Sequence, residues 1–143
     1  MDEFMIAAME EARQGAAEGG VPIGSVLVIE GKIVGKGHNR QAQMQSIIRH
    51  AEMDAIDNAG FLPPADYQRA VLYTTLSPCE MCAGAVAFFK IPKLVIAENV
   101  NYRGAEDYLR SLGVELVVLN APEAIEMLAK FDREHPGVWK KGE

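Results

Sequence analysis

Residues 70–89, AVLYTTLSPCEMCAGAVAFF, change periodicity half-way along. The first seven, AVLYTTL, form a short run rich in β-branched and apolar residues, the mark of a buried strand. Ser77-Pro78 interrupts it, and a stretch rich in Ala, Met and Phe follows to Phe89, where Ile91-Pro92 sets a limit. A strand that passes through a polar turn into a helix is the repeating unit of an α/β fold. Ser77 reads as the helix cap, Pro78 as its first residue and Glu80 as the partner of the cap, a capping box with proline in the first turn.

On either side the same alternation continues. Residues 3–18 carry apolar side chains at helical spacing and stop at Gly19-Gly20. Residues 24–30 (GSVLVIE) and 32–37 (KIVGKG) read as a hairpin turning at Glu30-Gly31. Residues 39–48 read as a polar loop, and a helix follows from His50 to Asn58, stopped by Gly60. Downstream, the pattern predicts a strand over 93–98, a short helix over 104–112, a strand over 114–119 and a helix over 122–134. These elements predict an α/β sandwich, a mixed sheet with helices on both faces. At 143 residues, with no linker composition, the chain reads as a single domain over 1–143.

The chemistry sits in two short motifs, His50-Ala51-Glu52 and Pro78-Cys79-Glu80-Met81-Cys82. Cys79 and Cys82 fall three apart on one helical face, so both sulfurs can reach one ion. The N-terminal end of a helix favours thiolate over thiol, and thiolates are good zinc ligands. His50 opens another helix in the same kind of position and supplies a third ligand. Three protein ligands leave the fourth zinc position open, the catalytic arrangement rather than the closed structural one. Glu52 diverges from His50 on a regular helix, so it reads as a carboxylate beside the metal rather than a ligand. Cys-x-x-Cys alone fits a redox pair, half a structural zinc site or two buried small side chains. A non-catalytic zinc protein or a thioredoxin-like module is the rival class, but a redox pair leaves His50 and Glu52 without a role. Together the two motifs make the H-x-E…P-C-x-x-C signature of zinc deaminases.

The chain resembles the cytidine-deaminase-like superfamily, and within it the small fungal-type cytosine deaminases. The pieces that carry the resemblance are EGGVPIGSVLV (18–28), GKGHN (35–39), HAE (50–52), LYTTLSPCEMCAGA (72–85), IPKLVIAENVNY (91–102) and the ending with Trp139. They run in order through nearly the whole chain. The resemblance implies a three-layer α/β/α sandwich on a central five-stranded sheet, one zinc per chain and a homodimer. It implies zinc on His50, Cys79 and Cys82, with Glu52 shuttling protons. It also implies that Asn39 and the backbone around Ala51 and Ser77 hold a base edge, and that Tyr102 and Trp139 wall the ring, with Ile23 and Met81 nearby. Three positions depart from the cytosine enzymes: Ala51 replaces Gly, Tyr102 replaces Phe, and the acidic residue beyond the tail tryptophan falls on Gly142, leaving only Glu143 to substitute. HAE and CAGA are also typical of tRNA adenosine and guanine deaminases.

The sequence thus predicts hydrolytic deamination of a free nucleobase, cytosine before others. Another aminated ring, such as guanine, an isocytosine-like pyrimidine or a pterin, stands as the alternative, with tRNA adenosine after it. The net charge of −6 weighs against nucleic acid as a partner, because no broad positive field is available to hold phosphates. The acidic N-terminus MDEFMIAAMEEARQG is a poor signal peptide, and no segment is long and apolar enough to span a bilayer. A cytoplasmic, membrane-free protein is the expectation.

Overall fold

The computed structural model describes residues 1–139. Its strands are β1 (Gly24–Ile29), β2 (Lys32–His38), β3 (Ala70–Thr74), β4 (Lys93–Ile96) and β5 (Glu115–Val118). They form one sheet in the order β2-β1-β3-β4-β5. β1 pairs antiparallel with both β2 and β3, whereas β3–β4 and β4–β5 are parallel. The hairpin closes through Glu30 (φ 49°) and Gly31 (φ 75°). Two successive positive φ values match the right-handed twist of the strands, which explains why a two-residue turn suffices.

The register separates two faces. Leu27, Leu72, Leu94 and Leu116 stand side by side across β1, β3, β4 and β5, and Val26, Tyr73, Val95 and Val117 do the same one residue away. The leucine row meets helices α3 (Ala51–Ala59), α5 (Glu80–Phe89) and α6 (Glu106–Ser111) through Ile56, Ala83, Val86 and Leu109. The valine row meets α1 (Glu3–Ala17) and α7 (Pro122–Glu134) through Met5, Ala8, Met9 and Ala124. Three α/β/α layers follow from this alternation, because strand side chains point to opposite faces with period two. α1 begins at an Asp2 cap whose carboxylate accepts from the Phe4 and Met5 N–H groups at 3.1 and 2.9 Å.

Three local expectations need correction. The polar loop over 39–48 contains a one-turn helix, α2 (Gln41–Met44), and a second short helix, α4 (Pro64–Tyr67), precedes β3. Both are single turns, too short for a periodic signal. The helix after β3 starts at Glu80 rather than Pro78, with Cys79 in the cap position and no side-chain cap bond. Ser77 is not the cap because its hydroxyl is engaged elsewhere: it donates to Glu106 Oε2 at 2.6 Å and accepts from the Gly104 N–H at 2.9 Å. The Pro78 carbonyl is also taken, by the Ala105 N–H at 2.9 Å, so the helical ladder begins one residue later, with Ala83 N–H on Cys79 O at 2.8 Å. Similarly, His50 caps α3 from outside rather than beginning it.

Candidate active site

Strand polarity gathers the site at one end of the sheet. Ile23 precedes β1 and Asn39 follows β2, and the antiparallel pairing of Gly24 with His38 sets them side by side. Asn39 N–H donates to Ile23 O at 2.9 Å. β3 runs antiparallel to β1, so Leu76 to Cys79 leave the sheet at that same end. β4 runs parallel to β3 and delivers residues 98–102 there too. Clefts outside the carboxyl ends of parallel strands are where α/β sheets hold ligands.

His50, Cys79 and Cys82 meet at this end, all buried, with one ligand atom from each lying within 4.8 Å of the others. His50 Nδ1 is 3.4 Å from Cys79 Sγ and 3.6 Å from Cys82 Sγ. A tetrahedral zinc at ordinary Zn–S and Zn–N lengths separates sulfur and nitrogen by about 3.6 Å, so the donor set fits the metal in both chemistry and spacing. The convergence comes from the helix starts. Cys79 in the cap and Cys82 in the third position of α5 face the same side, and His50 occupies the cap of α3. The partial positive charge of both helix starts favours anionic sulfur there. Cys79 is pulled down to about 4, chiefly by the hydrogen bond from Cys82, with His50 adding to it. Cys82 is pushed up, first by its hydrogen bond with Cys79 and then by burial.

Glu52, in the second position of α3, is buried beside this cluster. Burial is the main reason its carboxyl is pushed up to about 7, opposed by the nearby His50. A carboxyl with that affinity both accepts and gives a proton near neutral pH.

A small pocket opens beside the cluster, lined by Ile23, Asn39, Ala51, Glu52, Tyr102 and Trp139 among others. Trp139 and Ile23 are buried and pack with Ala51 and Leu76, and Tyr102 lies against this group. Tyr102 is held from behind. Glu98, fully buried, accepts from the Val100 and Asn101 N–H groups at 2.7 and 2.9 Å and from Asn101 Nδ2 at 2.8 Å. Glu98 therefore fixes the loop. Gly104 packs so tightly on the Ser77-Pro78 turn that a Cβ there would lie 1.8 Å from Pro78 O.

Ile23, Asn39, Ala51, Ser77, Tyr102 and Trp139 are thus brought together on one cavity. Met81 is not: it occupies the second position of α5, half-buried and outside the cavity lining. Glu143 lies outside the described residues. Two lining residues escaped the sequence reading. Leu76 ends the run that reads as strand. Gln41 sits in the segment taken as featureless loop, where its N–H donates to Asn39 Oδ1 at 3.1 Å and its Oε1 accepts from Asn39 Nδ2 at 3.1 Å. An Asn two residues ahead of an N–H is the signal that could have found it.

Comparison with known proteins agrees with this geometry. Residues 1–98 match the family described as the cytidine and deoxycytidylate deaminase zinc-binding region, a span that takes in His50, Glu52, Cys79 and Cys82. The chain is 44% identical to a cytosine deaminase of Candida albicans over 135 residues, 94% of this chain and 90% of that protein. It is 45% identical to a tRNA-specific adenosine deaminase of Bacillus subtilis over 93 residues, 64% of this chain and 58% of the relative. Among solved structures, a tRNA:A34 deaminase studied for A-to-I editing superposes with a TM-score of 0.73 at 31% identity, covering 87% of this chain and 98% of the other. The guanine deaminase of Nitrosomonas europaea shares the fold, with a TM-score of 0.74 at 22% identity over 91% of this chain and 83% of that one. With its matching zinc-binding region, its three convergent ligands and a relative alike along nearly its whole length, the chain belongs to the zinc-dependent cytidine and deoxycytidylate deaminase family, hydrolases of C–N bonds.

Proposed function

We propose that the protein deaminates a free nucleobase, converting cytosine and water to uracil and ammonia. The observation that carries this reading is the buried Glu52 set between the His50–Cys79–Cys82 cluster and a small cavity walled by Tyr102 and Trp139. Zinc on that cluster, when bound, lowers the pKa of a coordinated water to about 7 and so supplies a nucleophile at neutral pH. Glu52 takes a proton from the attacking water and delivers it to the ring nitrogen beside the carbon under attack. Once the new C–O bond has formed, Glu52 takes the remaining proton from the added hydroxyl and passes it to the amine, the C–N bond breaks, the new oxygen becomes the carbonyl and ammonia leaves. Asn39 and the backbone near Ala51 and Ser77 hold the opposite edge of the ring, while Tyr102, Trp139 and Ile23 exclude bulk water. Glu143 is assigned the remaining contact to the base, in place of the tail acid that Gly142 lacks.

The buried Trp139 packs with Ile23, Ala51 and Tyr102 over the site, which favours a small ring over a nucleoside. The likeness to the Candida cytosine deaminase supports the same substrate class. The match to the Bacillus enzyme supports a tRNA adenosine reading, against which stands the net charge of −6. A role in pyrimidine salvage and a cytoplasmic location complete the proposal, and no helix among the described residues is long and apolar enough to cross a membrane. A homodimer also belongs to it: Phe88 on α5 and Phe61 before α4 are exposed and flank a broad apolar groove, a surface that suits a second copy.

The deciding experiment measures ammonia release by the zinc-loaded protein from free bases, nucleosides and tRNA. Cytosine should be fastest. Rapid turnover of another aminated ring with poor turnover of cytosine would overturn the substrate and leave the deaminase intact.

A further inference from the structure

Asp54 lies one turn inside α3, fully buried, and takes no part in lining the cavity. Its carboxylate accepts three hydrogen bonds from outside its helix. The His38 N–H reaches Oδ2 at 3.1 Å, Arg40 Nε reaches the same oxygen at 2.9 Å, and Arg49 Nη2 reaches Oδ1 at 2.6 Å. The identities of these donors matter. Residues 38 and 40 bracket Asn39, and residue 49 immediately precedes His50. The Asp54 N–H itself donates to His50 O at 2.9 Å. The segment between the two brackets is closed at its base by Arg40 N–H on Arg49 O at 2.9 Å. One buried carboxylate therefore grips the chain on both sides of one site residue and directly before another.

We infer that Asp54 is a positioning residue that couples Asn39 to His50, holding the base-reading amide in fixed register with the zinc ligand. The inference rests on the role proposed above for Asn39. Asp54 touches neither base nor metal; it acts through Arg40 on one side and Arg49 on the other. A buried carboxylate is costly unless paired and hydrogen-bonded, and here two guanidinium groups and one amide meet it. Each guanidinium is anchored a second time, Arg49 on Asp57 at 3.0 Å and Arg40 on Glu18 at 3.7 Å, so the clamp is braced against α3 and α1. Small displacements at such a site carry large kinetic costs, and residues that orient metal ligands typically change metal affinity by about 10- to 100-fold.

The two arms can be cut separately. Arg40 and Arg49 are partly exposed, so methionine at either position retains the aliphatic stem. Arg40→Met should raise KM about ten-fold for cytosine, or for whichever ring the ammonia screen ranks first, with the rate of zinc loss to a chelator unchanged. Arg49→Met should speed zinc loss about ten-fold and leave KM unchanged. Asp54→Asn should do both; where it does not fold, the arginine variants decide alone. Variants that lower the melting temperature while KM and zinc release stay as in the parent would overturn the coupling. Asn39→Ala separates the two readings. If it leaves KM unchanged, the base-reading role of Asn39 fails, and the zinc-release arm, which involves no substrate, still upholds or overturns the hold of Asp54 on His50.

Discussion

Glu52 holds its position through backbone geometry and its affinity through burial. In the second position of α3 it diverges from His50 in the cap, so it stands beside the metal cluster without joining it. Burial then pushes its carboxyl up to about 7, where it can act as both base and acid. Glu52→Gln keeps the shape and removes the proton transfer. Turnover should fall by at least about 10² to 10⁴ while zinc stays at one per chain, as read by metal analysis alongside the rate. Loss of zinc together with activity would make Glu52 a ligand instead. At this scale the motif spacing exposed His50, Glu52, Cys79 and Cys82 as a set, because ligand chemistry restricts residue types. It could not expose Gln41, Leu76 or Asp54, whose neighbours are set by long-range contacts. His38 shows the same limit: its buried ring meets Glu11 of α1 at 2.9 Å and Glu18, the residue that caps α1, at 2.8 Å.

Helix starts and strand ends carry the site. α3 and α5 each present a cap residue, His50 and Cys79, and zinc bound by both joins the two helices directly. Removing the metal should therefore cost stability. Chelation should lower the melting temperature, zinc should restore it and magnesium should not, since a ligand bound at a thousand times its Kd contributes about 4 kcal/mol. A chelated protein that melts with the parent would show that the helices are held without the metal. α3 is also seated by a glycine. A Cβ on Gly37 would lie 2.4 Å from Ala55 N and 2.6 Å from the Asp54 carbonyl carbon. Gly37→Ala must push α3 away from β2, and should destabilise by about 1–3 kcal/mol in urea unfolding and weaken zinc retention together. An unchanged midpoint would mean that the strand yields instead. Periodicity made α1, α7 and the five strands legible to within a residue or two. Single-turn α2 and α4 left no periodic trace, and the start of α5 moved because Glu106 and Gly104, 29 and 27 residues away, take the Ser77 hydroxyl.

For the molecule as a whole, the proposed homodimer makes the exposed aromatic surface the quantity to test. Phe88 and Phe61 are exposed beside one groove, and a solvent-exposed apolar groove of this breadth is a typical interaction surface. The parent should sediment at twice 15.6 kDa. Phe88→Asp, on the outer side of α5, should shift it to the single mass with one zinc per chain retained. A parent that already sediments at the single mass at low micromolar concentration would remove the dimer.

What the amino-acid order determined by itself was the layer architecture and the metal chemistry. Both rest on short-range rules: alternation sorts side chains to two sheet faces, and a histidine with two cysteines three apart is a zinc-ligand set that leaves the fourth position open. What tertiary structure alone decided was which residues surround the ion and the ring. Strand order placed Ile23, Asn39, Leu76 and Tyr102 at one end of the sheet, left Met81 outside the cavity, and set Asp54 between the flanks of Asn39 and His50. The physical reason is that burial and buried hydrogen bonds belong to pairs of groups brought together from distant parts of the chain, and local spacing does not specify which pairs meet.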